Sequence, residues 1–315
     1  MASPARRDGR ERSAERTAEF ERHRGLLRGL AYRMLGSLAD ADDVVQDTFL
    51  RWHAADAHAI GSPRAWLVTA CTHLAIDELR SARRSREDYV GPWLPEPVIG
   101  DGAPGAAELA ELSESLSIAY LLLLERLAPA ERAALLLHEV LDLPHAEVAR
   151  VLGRTEPACR QLLTRARRRL AKRPRAESAG APPAGARPAV GSAAPAGAEA
   201  FFAALRAADV EALMTALGAE AQAWSDGGGK VVAARRVIRG TGRVARFLAG
   251  IVRKRGLRLR LEPAMVNGRP GRLMVEAGAV VAALAVETDG AGRVTHVFIV
   301  RNPDKLRSAE PGLPR

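Results

Sequence analysis

The chain has 315 residues, a formal net charge of +10 from 47 Lys plus Arg against 37 Asp plus Glu, and two cysteines. That length allows two or three domains with separate cores; two distant cysteines exclude a disulfide-stapled scaffold and fit a reducing cytoplasm; and the basic excess points to a polyanionic partner. The charged N-terminus lacks the apolar stretch of a signal peptide, and the longest apolar runs, 118–124 and 277–286, are too short to cross a bilayer, so the expectation is a cytoplasmic protein with no membrane partner.

Residues 1–19 read as a flexible N-terminus. Apolar residues at helical spacing predict helices over 20–34 and 40–52, joined at Gly36-Ser37, and a third over 63–86 that Pro63 opens. These make an all-α domain over 20–90. In the second helix Val44, Val45, Thr48, Phe49 and Trp52 share one face, with Asp43, Gln46, Asp47 and Leu50 around the others. By themselves these are a core stripe and acids that complement a helix dipole. A linker over 91–107 follows, broken by Pro92, Pro95, Pro97 and Pro104.

Helices over 108–127, 129–141, 145–153 and 156–173 form a second all-α domain, 108–173. Its last two helices read as a helix-turn-helix. Gly153 closes the first, Thr155 is a fitting N-cap for the second, and Pro157 is tolerated in a first turn. Cys159, Leu162, Leu163, Ala166 and Leu170 form the buried stripe, which leaves Arg160, Gln161, Thr164, Arg165 and Arg168 outward. That set suits major-groove reading, since Arg pairs with guanine, Gln with adenine, and Thr with a base or a phosphate. Residues 160–173 hold seven basic side chains and no acidic one; Arg169, Lys172 and Arg173 are also explained by a helix C-terminus or phosphate contact.

Over 174–197, 20 of 24 residues are Ala, Gly, Pro or Ser, a composition that forms no core. This tether has a root-mean-square reach of roughly 25–30 Å as a random coil. The pattern then changes. Helices are expected over 199–217 and 241–255, and strands over 221–225, 231–235, 257–266, 273–288 and 294–300, punctuated by Gly-rich turns. That order predicts an α+β domain over 198–306, an antiparallel sheet with helices on one face, and a tail over 307–315.

The segment Asp40-Ala41-Asp42-Asp43-Val44-Val45-Gln46-Asp47-Thr48-Phe49-Leu50-Arg51-Trp52 resembles the core-polymerase-binding helix of the extracytoplasmic-function (group IV) sigma factors of the sigma-70 family. The resemblance continues through Pro63-Arg64-Ala65-Trp66-Leu67, residues 74–80 and Leu127-Ala128-Pro129-Ala130-Glu131-Arg132, and covers 20–173 nearly continuously. It implies that Asp40, Asp43, Gln46, Asp47, Leu50 and Arg51 bind core RNA polymerase. It further implies that Thr72, His73, Asp77, Arg80, Arg83 and Arg84 read the downstream promoter element and that the helix-turn-helix reads the upstream one. Thr72 and His73 stand where many members carry Arg and Asn.

The segments 89–97, 226–230 and 302–306 resemble signatures of the SigJ-like subgroup, which carries a C-terminal SnoaL-like domain, a cystatin-type α+β roll. The implied architecture is two all-α sigma domains followed by that roll, acting in place of a separate anti-sigma protein. The implied regulatory contact involves Trp93, Leu94, Pro95 and Glu96 with Asp226, Gly227, Gly228, Gly229, Lys230, Asn302, Pro303, Asp304 and Lys305, with Trp93 as an apolar anchor. Core polymerase and promoter DNA are the partners; no metal, cofactor or catalytic residue is required. Two other readings stay open: a polymerase-independent helix-turn-helix regulator, and a SnoaL-type cyclase or isomerase using Asp209, Asp226 or His296. A small-molecule ligand between Trp224, Met214, Phe247 and Phe298 would fit the roll, although no residue identifies one.

Overall fold

A computed structural model describes residues 4–56, 59–100, 117–171 and 196–307, without the side chains of 4–12, 83–85, 87 and 257. Most of the expected tether, the tail beyond 307, and residues 101–116 of the linker and following helix lie outside the described residues.

In chain order the helices are α1 (Pro4–Leu35), α2 (Leu38–Ala54), α3 (Pro63–Glu87), α4 (Ile118–Leu124), α5 (Pro129–Glu139), α6 (His145–Val151), α7 (Glu156–Ala171), α8 (Ala196–Ala207), α9 (Val210–Ala216) and α10 (Thr241–Arg255). The strands are β1 (Ile99–Gly100), β2 (Leu217–Asp226), β3 (Ile238–Arg239), β4 (Leu259–Val266), β5 (Arg269–Glu276), β6 (Ala279–Thr288) and β7 (Val294–Val300). The chain divides into two compact units, Met1–Arg84 with Arg126–Arg169, and Ser85–Glu125 with Leu170–Arg315.

The first unit is helical. Gly36 ends α1 at φ 71°, a left-handed angle that suits glycine, and Ser37 caps α2 by accepting the Asp40 amide at 3.2 Å. The apolar stripe of α2 turns inward through Val44, Val45, Thr48 and Trp52. Of the expected flexible segment over 1–19, residues 4–19 are helical instead: α1 begins at Pro4, and Arg16 holds its helical neighbours to α2. Its guanidinium lies 4.5 Å from the centre of the Trp52 ring and donates to the Trp52 and Ala55 carbonyls, while Trp52 Nε1 donates to the Arg16 carbonyl at 2.9 Å. Within the same unit, buried Arg132 of α5 donates to the Met34 carbonyl at 2.6 Å, so both helical halves share an interface.

In the second unit one mixed sheet runs in the order β1-β4-β5-β6-β7-β2-β3, antiparallel except for the parallel pair β2–β7. Alternation along β7 splits the core in two: Val297 and Ile299 face α8 and α10, whereas Phe298 and Val300 face the other side. Several expected elements are corrected here. The run 273–288 is two strands, because Ala277 and Gly278 both take positive φ (52° and 86°) and make a two-residue hairpin. Residues 231–235 make no strand, and Val232 is 84% exposed. The helix over 199–217 breaks at Ala208 (φ 51°), after which Asp209 caps α9 by accepting the Ala212 amide at 3.1 Å.

The proline-rich linker also differs from expectation. Its residues Ile99 and Gly100 form β1, an edge strand on β4. α4, read as the end of the first helix of the second sigma domain, buries Ile118 and Ala119 against the sheet with Leu94, Phe298 and Val300.

Candidate functional sites

The outer face of α2 carries Asp43, Gln46, Asp47, Leu50 and Arg51, all exposed, with Asp40 partly exposed at the first turn. Leu50 is 56% exposed, an apolar side chain one helical turn from Gln46 and Asp47 on a helix whose opposite face is core. That arrangement suits a partner surface with an apolar pocket and a basic rim.

The downstream-element set on α3 is not all available. Thr72 is fully buried, with its hydroxyl donating to the Val68 carbonyl at 2.7 Å, so it cannot meet a base from this helix. Its position on the inward face, one turn from Val68, is the reason. His73 points outward, but its Nε2 donates to the Val151 carbonyl at the end of α6, at 2.7 Å. Asp77 and Arg80 are exposed and paired at 2.9 Å. The side chains of Arg83 and Arg84 lie outside the described residues.

The helix-turn-helix follows the expected pattern. Gly153 takes φ 60°, Thr155 accepts the Ala158 amide at 3.4 Å, and Cys159, Leu162, Leu163, Ala166 and Leu170 are buried. Arg160, Gln161, Thr164, Arg165 and Arg168 are exposed, and so is Arg167. The arginines are partly tethered: Arg160 to Glu156 at 2.5 Å, and Arg167 to Glu139 of α5 at 2.9 Å.

The second unit gathers a polar cluster around Asp226, the last residue of β2 and fully buried. Its Oδ1 accepts from Tyr89 Oη (2.6 Å) and the Gly228 amide (3.0 Å); its Oδ2 accepts from the Leu94 amide (2.9 Å) and Lys305 Nζ (2.7 Å). Lys305 also donates to the Leu94 carbonyl at 2.5 Å, and Asn302 donates to Tyr89 Oη at 3.0 Å. Burial holds the Lys305 ammonium below its usual range despite the opposing pull of Asp226, and burial followed by the Asp226 carboxylate raises the Tyr89 phenol. Lys230 pairs with Asp304 at 2.5 Å near the surface.

Trp93 is not the apolar anchor. It is partly exposed and its ring meets two cations, 3.7 Å from the Arg86 guanidinium and 4.5 Å from Lys305 Nζ. The side chain that enters the core is its neighbour Leu94, 0% exposed. Pro95 and Glu96 are buried beside it.

The sigma-70 region 2 family matches residues 20–85, and the sigma-70 region 4 family matches 117–170. Over 301 residues the chain is 37% identical to the ECF RNA polymerase sigma factor SigJ of Mycobacterium tuberculosis H37Rv, with 92% of each protein covered. The chain belongs to the ECF RNA polymerase sigma factors. A crystal structure of the M. tuberculosis extracytoplasmic function sigma factor SigJ superposes with a TM-score of 0.72 at 32% identity, covering 93% of this chain and 98% of that one. The probable ECF sigma factor SigI of the same species is 36% identical over 159 residues, 49% of this chain and 53% of that protein.

In this sigma factor the residues of an enzyme-like site do not come together. Both oxygens of Asp226 are occupied by four donors, Asp209 is a helix cap, and His296 stacks on Phe298 with Nδ1 at 3.1 Å from Thr295 Oγ1. The four apolar residues expected around a ligand also separate: Trp224 and Phe298 sit under the linker face, Phe247 packs on the opposite face, and Met214 is 38% exposed. Among the described residues no group of three or more His, Cys, Asp or Glu is placed to hold a metal, and no helix is long and apolar enough to cross a membrane.

Sequence reasoning missed Arg86, which stacks on Trp93 and pairs with Glu125 at 2.6 Å. Tyr89 lies in the segment 89–97, where the resemblance implies contacts for Trp93, Leu94, Pro95 and Glu96 alone. A tyrosine just ahead of a Trp-Leu-Pro segment was the available signal; nothing marked Arg86 among so many arginines.

The glycines after Asp226 give a direct test of the docking geometry. A Cβ at Gly228 would lie 2.3 Å from Asn302 Nδ2, and the residue holds φ 60°. Gly228→Ala is therefore expected to displace Asn302 and release Tyr89, costing about 1–3 kcal/mol, while Gly240→Ala, with open space at its Cβ, carries only its backbone strain. Limited proteolysis within 89–100 should distinguish the two, with faster cleavage in Gly228→Ala alone.

Proposed function

We propose that this sigma factor, acting in the cytoplasm, docks on core RNA polymerase through the outer face of α2, with Asp43, Gln46, Asp47, Leu50 and Arg51 as the contact set. It reads the upstream promoter element with Arg160, Gln161, Thr164, Arg165 and Arg168 of α7. On α3 the downstream element is left to His73, Asp77, Arg80, Arg83 and Arg84, and His73 has to leave the Val151 carbonyl before it can meet a base.

The roll regulates and does not catalyse. The observation that carries this is the saturation of Asp226 by donors from the linker and the C-terminal Asn302–Lys305 turn, which spends the best acid of the domain on holding the linker. Linker, roll and C-terminal turn are thereby one device, and whatever loosens it changes how the sigma domains meet polymerase.

The test is promoter-directed run-off transcription with core polymerase, comparing the full-length chain with a version lacking residues 303–315 and with one ending at Arg173. Core binding is followed in parallel. All three should bind core and start transcripts, with yields that differ because the shortened versions lose Lys305 or the whole roll. Equal yields would remove the regulatory role; no core binding by any of them would remove the polymerase-docking one.

A further inference from the structure

Within the helix-turn-helix half of the first unit, one acid is placed unlike the others. Glu131 at the third position of α5 is 3% exposed, although it belongs to a surface rich in arginine. Its Oε2 accepts the Ala128 amide at 3.0 Å, half of a capping box whose other half is missing because Ala128 has no side-chain acceptor. The same oxygen takes Arg169 at 2.8 Å, and Oε1 lies 3.5 Å from Nε of Arg165, both from α7. By contrast, the partners of Arg160 and Arg167 are acids whose side chains are 39% and 33% exposed.

A carboxylate fixed by a backbone amide and excluded from water cannot follow a moving guanidinium, so the guanidiniums must come to it. We infer that Glu131 is a positioning residue for promoter recognition: it sets the head group of Arg165 and withholds Arg169 from the phosphates. This rests on the proposal that α7 is the DNA-reading helix. Two physical consequences follow. Arg165 loses less rotamer entropy when it meets a base edge, which favours correct contacts. The buried negative charge also offsets one cation near the backbone, which weakens binding to any sequence. Both raise the ratio of specific to non-specific binding without Glu131 touching DNA.

Two measurements on the full-length chain test this. Binding to a random-sequence duplex is followed against salt concentration for Arg168→Gln and Arg169→Gln, exposed residues whose replacement spares the core. Arg168→Gln should flatten the slope of log K against log salt by about 0.9, one phosphate contact, and Arg169→Gln should leave it unchanged. If Arg169→Gln flattens it equally, Glu131 does not withhold that side chain and the inference falls. If neither variant changes the slope, α7 is not on the DNA and the reading beneath the inference falls instead.

The second measurement uses Glu131→Gln, which keeps an oxygen for the Ala128 amide. It should steepen the slope on random duplex by about 0.9. In holoenzyme selections from a pool randomised across the upstream element, it should enrich a visibly broader set of sequences. A simple loss of α5 stability would lower binding to every sequence and would not steepen the slope. An unchanged slope with an equally narrow selected set overturns the proposal.

Discussion

Asp226→Asn is expected to lower the melting temperature of the unit that holds the roll by roughly 6–12 °C, the equivalent of about 3 kcal/mol for a unit of this size. The size of the effect comes from the geometry of the four donors. Tyr89 Oη and the Gly228 amide point at Oδ1, while the Leu94 amide and Lys305 Nζ point at Oδ2. An amide nitrogen placed on either side would face two donors. The substitution also leaves the Lys305 ammonium, whose side chain is 12% exposed, without its counter-charge. Adding Lys305→Met should return part of the loss, because an apolar side chain in that place no longer needs a carboxylate. A double-mutant cycle followed by calorimetry measures the coupling. Loss of less than about 2 °C, or strict additivity, would mean that the cluster does not hold the linker. On the regulatory reading, Asp226→Asn should also shift run-off yield in the same direction as removal of 303–315.

Leu50→Asp is expected to weaken core-polymerase binding by about 2 kcal/mol, roughly 30-fold in Kd, with the melting temperature within about 1 °C of the parent. Leu50 is exposed on α2, opposite Val44, Val45 and Thr48, so its replacement opens no cavity. Asp47→Lys should act in the same direction by placing a cation against a basic rim. Val45→Asp serves as the contrast: Val45 is 1% exposed, and a carboxylate there unfolds the helical half. Titration of labelled full-length chain with core polymerase reads the first two. If neither variant changes the affinity, the acidic face of α2 is not the polymerase surface.

The helical half was the easier part to read. Its elements are amphipathic over two or more turns, so the stripe Val44, Val45, Thr48 and Trp52 and the stripe Cys159, Leu162, Leu163, Ala166 and Leu170 both follow from a 3.6-residue period and both are buried. The same rule applies to Thr72. It sits one helical turn from Val68 and Ile76, both buried, and belongs to the core side of α3. The resemblance alone assigns it to the downstream promoter element, which its burial contradicts. In the roll, α10 was legible to the residue, but the apolar run 273–288 concealed a hairpin because Ala277 is an unusual choice for positive φ.

The two helical modules, the helix-turn-helix face and an α+β roll are legible in the chain alone because they rest on local periodicity, capping and turn residues, and the family is legible in motif segments such as 40–52. Where the linker docks depends on contacts between distant segments. Tyr89 and Leu94 lie more than a hundred residues before Asp226, and Lys305 lies 79 residues after it; their meeting depends on where the end of β2 lies beside β7 in the sheet. The same holds for Glu131 with Arg165 and Arg169, and for His73 with Val151. No period in a chain records such contacts. Each pairing arises from the packing of distant elements, and for the buried Asp226 and Glu131 the cost of leaving a carboxylate unpaired is what fixes it.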